Sequence, residues 1–194
     1  MYKILLILLI PSISFTLFSC AKESSTSSSE TTKLEGEWLT SCYEDEDNYS
    51  YISTISVSGT NVEIKDEIHS DINCNSDDGI GVVNFSSLSI GEEVTFASGA
   101  SGNKFTMNLV NIKYTPETVA EVNSLNTDSY CGFSDWSLNT EKDFTGKTCG
   151  STSMPSANTT YLNMYKLVGN NLYLGFGTAS YPNSVNNEKS YIKQ

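Results

Sequence analysis

The sequence predicts an all-β fold: an antiparallel barrel of about eight short strands with one short helix and two disulfides. Three observations predict it. Apolar and polar residues alternate with a period of two in successive runs from Glu35 onward. Turn signals rich in Gly and Asn separate those runs, and no long helical period interrupts them. An even set of cysteines, Cys42, Cys74, Cys131 and Cys149, lies in the same region.

The first clear pair of strands is Tyr49–Ser58 and Asn61–His69. In the former, Tyr49, Tyr51, Ile55 and Val57 share one face, and hydroxyl residues dominate the other. In the latter, Val62, Ile64 and Ile68 oppose Glu63, Lys65 and Glu67. Gly59-Thr60 joins them, so the segment predicts a hairpin. His69 falls on the polar face with Glu63 and Glu67 and is expected at the surface. Asp71 to Gly79, rich in Asn and Asp, reads as a loop, and Val82–Ile90 as the next strand. In Lys104–Tyr114 the apolar phase changes: Phe105, Met107 and Leu109 are odd, whereas Val110, Ile112 and Tyr114 are even. A change of face by one residue is what a β-bulge produces.

Thr115-Pro116-Glu117 offers a hydroxyl cap, a proline at the first helical position and an acid in the first turn. A helix is expected over Pro116–Leu125. Tyr130–Leu138 reads as a strand. Thr160–Val168 and Leu172–Gly177 flank Gly169-Asn170-Asn171 and form a second hairpin. Ser190–Lys193 closes the sheet. The prevalence of hairpins favours a barrel over a sandwich.

The N-terminus has a different character. Lys3 precedes an unbroken Ile/Leu run from Ile4 to Ile10, and small and apolar residues continue to Ser19. This run is shorter than the roughly 20 apolar residues of a membrane span and reads as a removable signal. Leu17-Phe18-Ser19-Cys20 resembles the lipobox of bacterial lipoprotein precursors, with Leu three residues before the cysteine and a small residue immediately before it. The resemblance implies a signal peptide over 1–19, a diacylglycerol on the Cys20 sulfur and an acylated Cys20 amine. Two or more acyl chains anchor stably. Ala21, where an acid would resemble an inner-membrane retention signal, favours the outer membrane. Residues 20–33, with the run Lys22 to Lys33 lacking any large apolar side chain, are expected to be a disordered tether. The barrel domain is then 34–194.

The formal net charge is −12, and all 11 basic residues are lysine. Such a chain repels phosphate backbones, so nucleic acid is not an expected partner. In an exported domain the four remaining cysteines form disulfides. Three connectivities can be drawn. Sequential pairing, Cys42–Cys74 and Cys131–Cys149, encloses the shorter loops and is the expected one. No CxxC spacing is present and the only histidine is His69, so no metal is expected.

No catalytic constellation is legible, and the chain is not expected to be an enzyme or to hold a cofactor. Ser98-Gly99-Ala100-Ser101-Gly102 fails the spacing of a nucleophile elbow. Asp71-x-Asn73-x-Asn75-x-Asp77 imitates the start of a calcium loop. Position six is Ser76 rather than Gly and position twelve is Val82 rather than Glu, so a solvated loop is expected. The run Glu44-Asp45-Glu46-Asp47 reads as an exposed acidic loop.

Leu34-Glu35-Gly36-Glu37-Trp38 carries the Gly-x-Trp of a first barrel strand. It resembles the opening of lipocalins, and YLNMYKLVGNNLYLGF resembles the closing strands of lipocalin-like bacterial lipoproteins. The resemblance implies that Gly36 permits a bend at the closed end, that Trp38 plugs it, and that Lys189 or Lys193 packs over the Trp38 ring. It also implies a non-enzymatic envelope barrel that holds a small apolar ligand. Trp38, Tyr161, Tyr165 and Tyr173 are its candidate contacts, although the tyrosines equally suit a packed core. The alternative is an envelope interaction or adhesion module with a filled barrel. Large residues at the inward positions would fill the barrel, and small ones would leave a cavity.

Overall fold

The computed structural model describes residues 31–45, 49–96 and 99–194. The signal segment, Cys20 and most of the tether lie outside the described residues, as do Glu46, Asp47 and Ser98. No helix among the described residues is long and apolar enough to cross a membrane.

The strand alternation resolves into a closed antiparallel barrel of eight strands. In chain order its staves are β1 (Gly36–Leu39), β3 (Ser50–Ser58), β4 (Asn61–His69), β5 (Asp77–Thr95), β6 (Ser101–Pro116), β10 (Thr160–Val168), β11 (Asn171–Gly175) and β12 (Tyr191–Lys193). Around the ring the order is β1-β12-β11-β10-β6-β5-β4-β3, and β1 pairs back onto β3 to close it. Of the remaining short strands, β2 (Tyr43–Glu44) extends the edge at β3, β7 (Lys142–Asp143) pairs with β6, and β8 (Thr148–Cys149) pairs with β9 (Thr152–Ser153).

Both predicted hairpins form. Ser58 pairs Asn61 across Gly59-Thr60, and Val168 pairs Asn171 across Gly169-Asn170. Gly59 and Gly169 both take φ near +59°, which a side chain disfavours. The phase change in β6 is a bulge: Asn84 pairs Asn111 and Phe85 pairs Leu109, so Val110 is extra and lies exposed. The expected disulfides, Cys42–Cys74 and Cys131–Cys149, are both formed.

Four expectations are corrected. Tyr130–Leu138 is not a strand: Tyr130–Gly132 is a 3-10 turn and the rest is irregular. Cys131 and Gly132 both have positive φ there, and the Asn126 side chain bonds the backbone of Trp136. That backbone therefore finds its partners locally rather than in a sheet. The helix, α2, spans Val119–Thr127, capped by Thr118, whose hydroxyl accepts from the Glu121 amide. Pro116 instead ends β6 opposite Gly79, because a proline is tolerated at a strand end that needs no further ladder donor. The loop after β4 is shorter than expected, since Asp77 already pairs with His69. His69 is buried, not exposed. A register shift between Ile68 and His69 carries it out of the alternation, and its Nδ1 lies 3.1 Å from Asp77 Oδ1 in a close approach.

The two ends of the barrel differ. At the end of the β3–β4 turn, a helical turn, α1 (Thr31–Leu34), brings the chain in. Leu34 is buried, Trp38 Nε1 donates to its carbonyl, and the Glu35 carboxylate accepts from the Gly59 amide. The opposite end carries α2, the 3-10 turn, the loop of the Cys42–Cys74 bridge and the long β11–β12 connection. An aromatic group of Tyr114, Tyr130, Phe133 and Trp136 packs there.

Candidate functional site

The alternation in β1, β3, β5, β6 and β10 points large residues inward. Trp38, Tyr161, Tyr165, Tyr114, Met107 and Leu109 are all fully buried. Phe85 meets Tyr161 edge-on at 5.3 Å, and Phe105 meets Tyr165 at 5.9 Å. Three of the four aromatic residues picked out in the sequence are thus part of one interior cluster. The fourth, Tyr173, lies on the other face of its strand, packed against the separate cluster of Phe96, Met164 and Val185 under Lys166. The cation expected over Trp38 is Lys193, whose Nζ is 5.1 Å from the ring centroid.

One interior polar group stands among these aromatics. Asn163 is completely buried; its Oδ1 accepts from the Gly177 amide, and its Nδ2 has no partner.

The most concentrated chemistry lies at the end opposite α1, in residues that sequence reasoning did not bring together. Ser53 on β3 and Asp66 on β4 are direct cross-strand partners on the inner face. Both are buried, and Ser53 Oγ donates to Asp66 Oδ1 at 2.5 Å. Lys189, from the β11–β12 connection, reaches into the same place. Its Nζ donates to the Tyr43 hydroxyl at 2.5 Å and to Ser53 Oγ at 3.1 Å. The ammonium also lies 4.0 Å from the Tyr43 ring centroid and 5.2 Å from that of Tyr191. Tyr43 OH and Ser53 Oγ are 2.9 Å apart. The single Ser53 hydroxyl proton goes to Asp66, so Tyr43 must donate to Ser53 while accepting from Lys189. Every bond in the chain is then satisfied.

Local structure positions each member. The Ser53 amide donates to Thr40 Oγ1, which ties β3 to the end of β1. Tyr43 stacks on its cross-strand partner Tyr51 at 5.7 Å. Asn186 Oδ1 accepts from the Glu188 and Lys189 amides, turning the chain so that Lys189 points inward. Burial shifts every titrating member toward neutrality. The Asp66 carboxyl is raised by desolvation, against the opposing pull of Lys189 and Ser53. Desolvation pushes Lys189 down to about 8, although Asp66 and Asp45 oppose this. The Tyr43 and Tyr191 hydroxyls are raised, first by burial and then by the nearby Asp66.

Asp77, Asp78, Glu117 and Glu121 lie at the same end. Burial raises the carboxyls of Glu117 and Glu121, with further contributions from Asp77 and Asp78 respectively. In the loop that imitates a calcium site, the Asp71 carboxylate accepts from the Asn73 and Asn75 amides. Its oxygens thus hold the loop's own backbone.

The chain matches no protein-family model, and no curated protein matches it in sequence.

Proposed function

We propose that the protein is a lipid-anchored lipoprotein of the bacterial cell envelope, held at the outer membrane through Cys20, whose filled barrel presents its distal end to a basic partner protein. The observation that carries this reading is the occupancy of the barrel by Trp38, Tyr114, Tyr161, Tyr165, Met107 and Leu109. An interior packed with side chains leaves the outer surface to do the work. Support also comes from where the exposed apolar residues lie. Three of the six exposed large apolar residues among the described ones, Ile72 and Leu138 in loops and Val119 at the start of α2, lie at the end away from α1, through which the tether would enter. The acids Asp77, Asp78 and Glu117 are at that same end. With a net charge of −12, the protein would select a partner of opposite sign.

A second reading, a lipocalin-like barrel for one small ligand, is favoured by the unpartnered Asn163 amide between Tyr161 and Tyr165. Native mass spectrometry of the mature chain extracted from membranes tests both readings. The first expects only the lipids of Cys20, diacylglycerol on the sulfur and an acyl chain on the amine, and no other adduct; release of Cys20→Ser into the soluble fraction would accompany it. A discrete further mass, lost on denaturation and on substitution of Asn163, would replace it with the second.

A further inference from the structure

We propose that the cluster of Tyr43, Ser53, Asp66 and Tyr191 is a binding site for a primary alkylammonium group, occupied in this structure by the chain's own Lys189. The site stands on its own geometry and does not depend on the interaction reading.

Its parts are those an ammonium ligand requires. The Tyr191 ring, 5.2 Å away, attracts a cation by its quadrupole, and the ammonium sits beside the hydroxyl end of the Tyr43 ring, 4.0 Å from its centroid. Two hydroxyl oxygens, at 2.5 and 3.1 Å, accept N–H bonds that a quaternary ammonium cannot donate. Asp66, held by Ser53, supplies the counter-charge from beneath. Three of these residues come from β2, β3 and β4 and Tyr191 from β12, so the receptor belongs to the barrel.

The occupant does not. Lys189 belongs to the irregular connection between β11 and β12. The earlier half of that connection is fixed by the buried Val185 and by the Asn186 amide on the Leu174 carbonyl. Beyond Asn186, the turn is held by the Asn186 side chain and by Lys189 itself. Opposite charges buried together give little net stability, because desolvation offsets their attraction. Lys189 and Asp66, which meet through Ser53, are both shifted toward neutrality by burial, with Asp66 and Asp45 the charged groups facing Lys189. An exogenous ammonium can therefore replace Lys189 with nothing but a short turn to displace.

Two sources share this chemistry: a free alkylamine and a lysine side chain of a partner protein. The test uses the full mature chain, wild type and Lys189→Ala. The probes are n-butylammonium, an N-acetylated peptide with one lysine, and tetramethylammonium. The Tm of Lys189→Ala should rise by about 5 °C at roughly a hundredfold excess of n-butylammonium over its Kd. It should not rise with tetramethylammonium, nor when Asp66→Asn is added. In the wild type, hydrogen exchange at the Glu188 and Lys189 amides should accelerate several-fold with whichever primary amine is the better ligand. A response to the peptide but not to n-butylammonium assigns the site to a partner's lysine, and the reverse assigns it to a free amine. Equal response to tetramethylammonium, or no response to either primary amine, overturns the proposal. So does rescue of Lys189→Ala with wild-type exchange unchanged, which would make Lys189 a permanent latch. If Lys189→Ala does not fold, the wild-type exchange measurement decides alone.

Discussion

Lys193 and Trp38 face each other across the β12–β1 seam, directly paired in register, with the ammonium 5.1 Å from the indole. This is where the last strand meets the first and the barrel closes. The Lys193 stem also runs past Gly36, where a Cβ would be 3.7 Å from Cε. Trp38→Ala should cost about 3–5 kcal/mol, because it removes a buried side chain that plugs one end. Lys193→Gln should cost only about 0.5–1 kcal/mol, the worth of an exposed cation over a ring. Urea denaturation of the two variants checks the contrast; equal losses would show that the seam depends on the charge.

The Lys189–Asp66 network should behave as a unit. Lys189→Met leaves the Asp66 carboxylate buried without its cation and should cost about 3–5 kcal/mol. Adding Asp66→Leu should recover most of that loss, since two apolar groups need no partner. A double-mutant cycle by chemical denaturation gives the coupling; additive losses would separate the two residues.

Stability should depend on alkaline pH in a particular way. Lys189 titrates near 8 when folded and near the ordinary 10.5 when unfolded. Between those values the unfolded lysine binds more protons, so its contribution to stability rises with pH. Tyr43, Tyr114 and Tyr191 are raised by burial. As pH approaches about 10 the unfolded tyrosines ionise first, and stability falls again. Unfolding free energies measured from pH 7 to 11 should therefore peak at about pH 9 in the wild type, where ionisation of the several unfolded tyrosines overtakes the single Lys189 proton. The rise from pH 8 should be missing in Lys189→Met.

Gly79 lies against the Tyr114 ring. A Cβ there would sit 2.1 Å from the Tyr114 hydroxyl oxygen and 2.5 Å from Cζ. Gly79→Ala should cost about 1–3 kcal/mol through overpacking. Because the ring itself is in the way, Tyr114→Phe should not restore it, whereas Tyr114→Leu should restore part. Thermal denaturation of the three combinations reads this directly.

The two disulfides should differ slightly in their effect. Cys42–Cys74 spans 32 residues and Cys131–Cys149 spans 18. Loop-closure entropy assigns each about 3–4 kcal/mol, with the longer loop worth more. Paired Cys→Ser variants, compared by denaturant midpoint, check the order.

Much of the fold is local and was therefore legible. Alternation in Tyr49–Ser58 and Asn61–His69, the turn at Gly169-Asn170-Asn171, the phase change at Val110 and the even set of cysteines each report a relation between near neighbours. The backbone period and turn stereochemistry are properties of short segments, so they read correctly without knowledge of the rest. What failed depended on distant groups. Tyr130–Leu138 has the composition of a strand, but a disulfide and the Asn126 side chain hold it in irregular form. His69 alternates as a surface residue, yet one register shift buries it. The candidate site was invisible for the same reason. Lys189 lies 136 residues from Ser53 and 146 from Tyr43, and only closure of the barrel places its ammonium between them. The sequence alone determined the alternating strands of the barrel and the two hairpin turns, because sterics and periodicity act along the chain. Tertiary structure alone decided which side chains share the interior and which charges are desolvated, because burial is set by residues that meet only after the barrel closes.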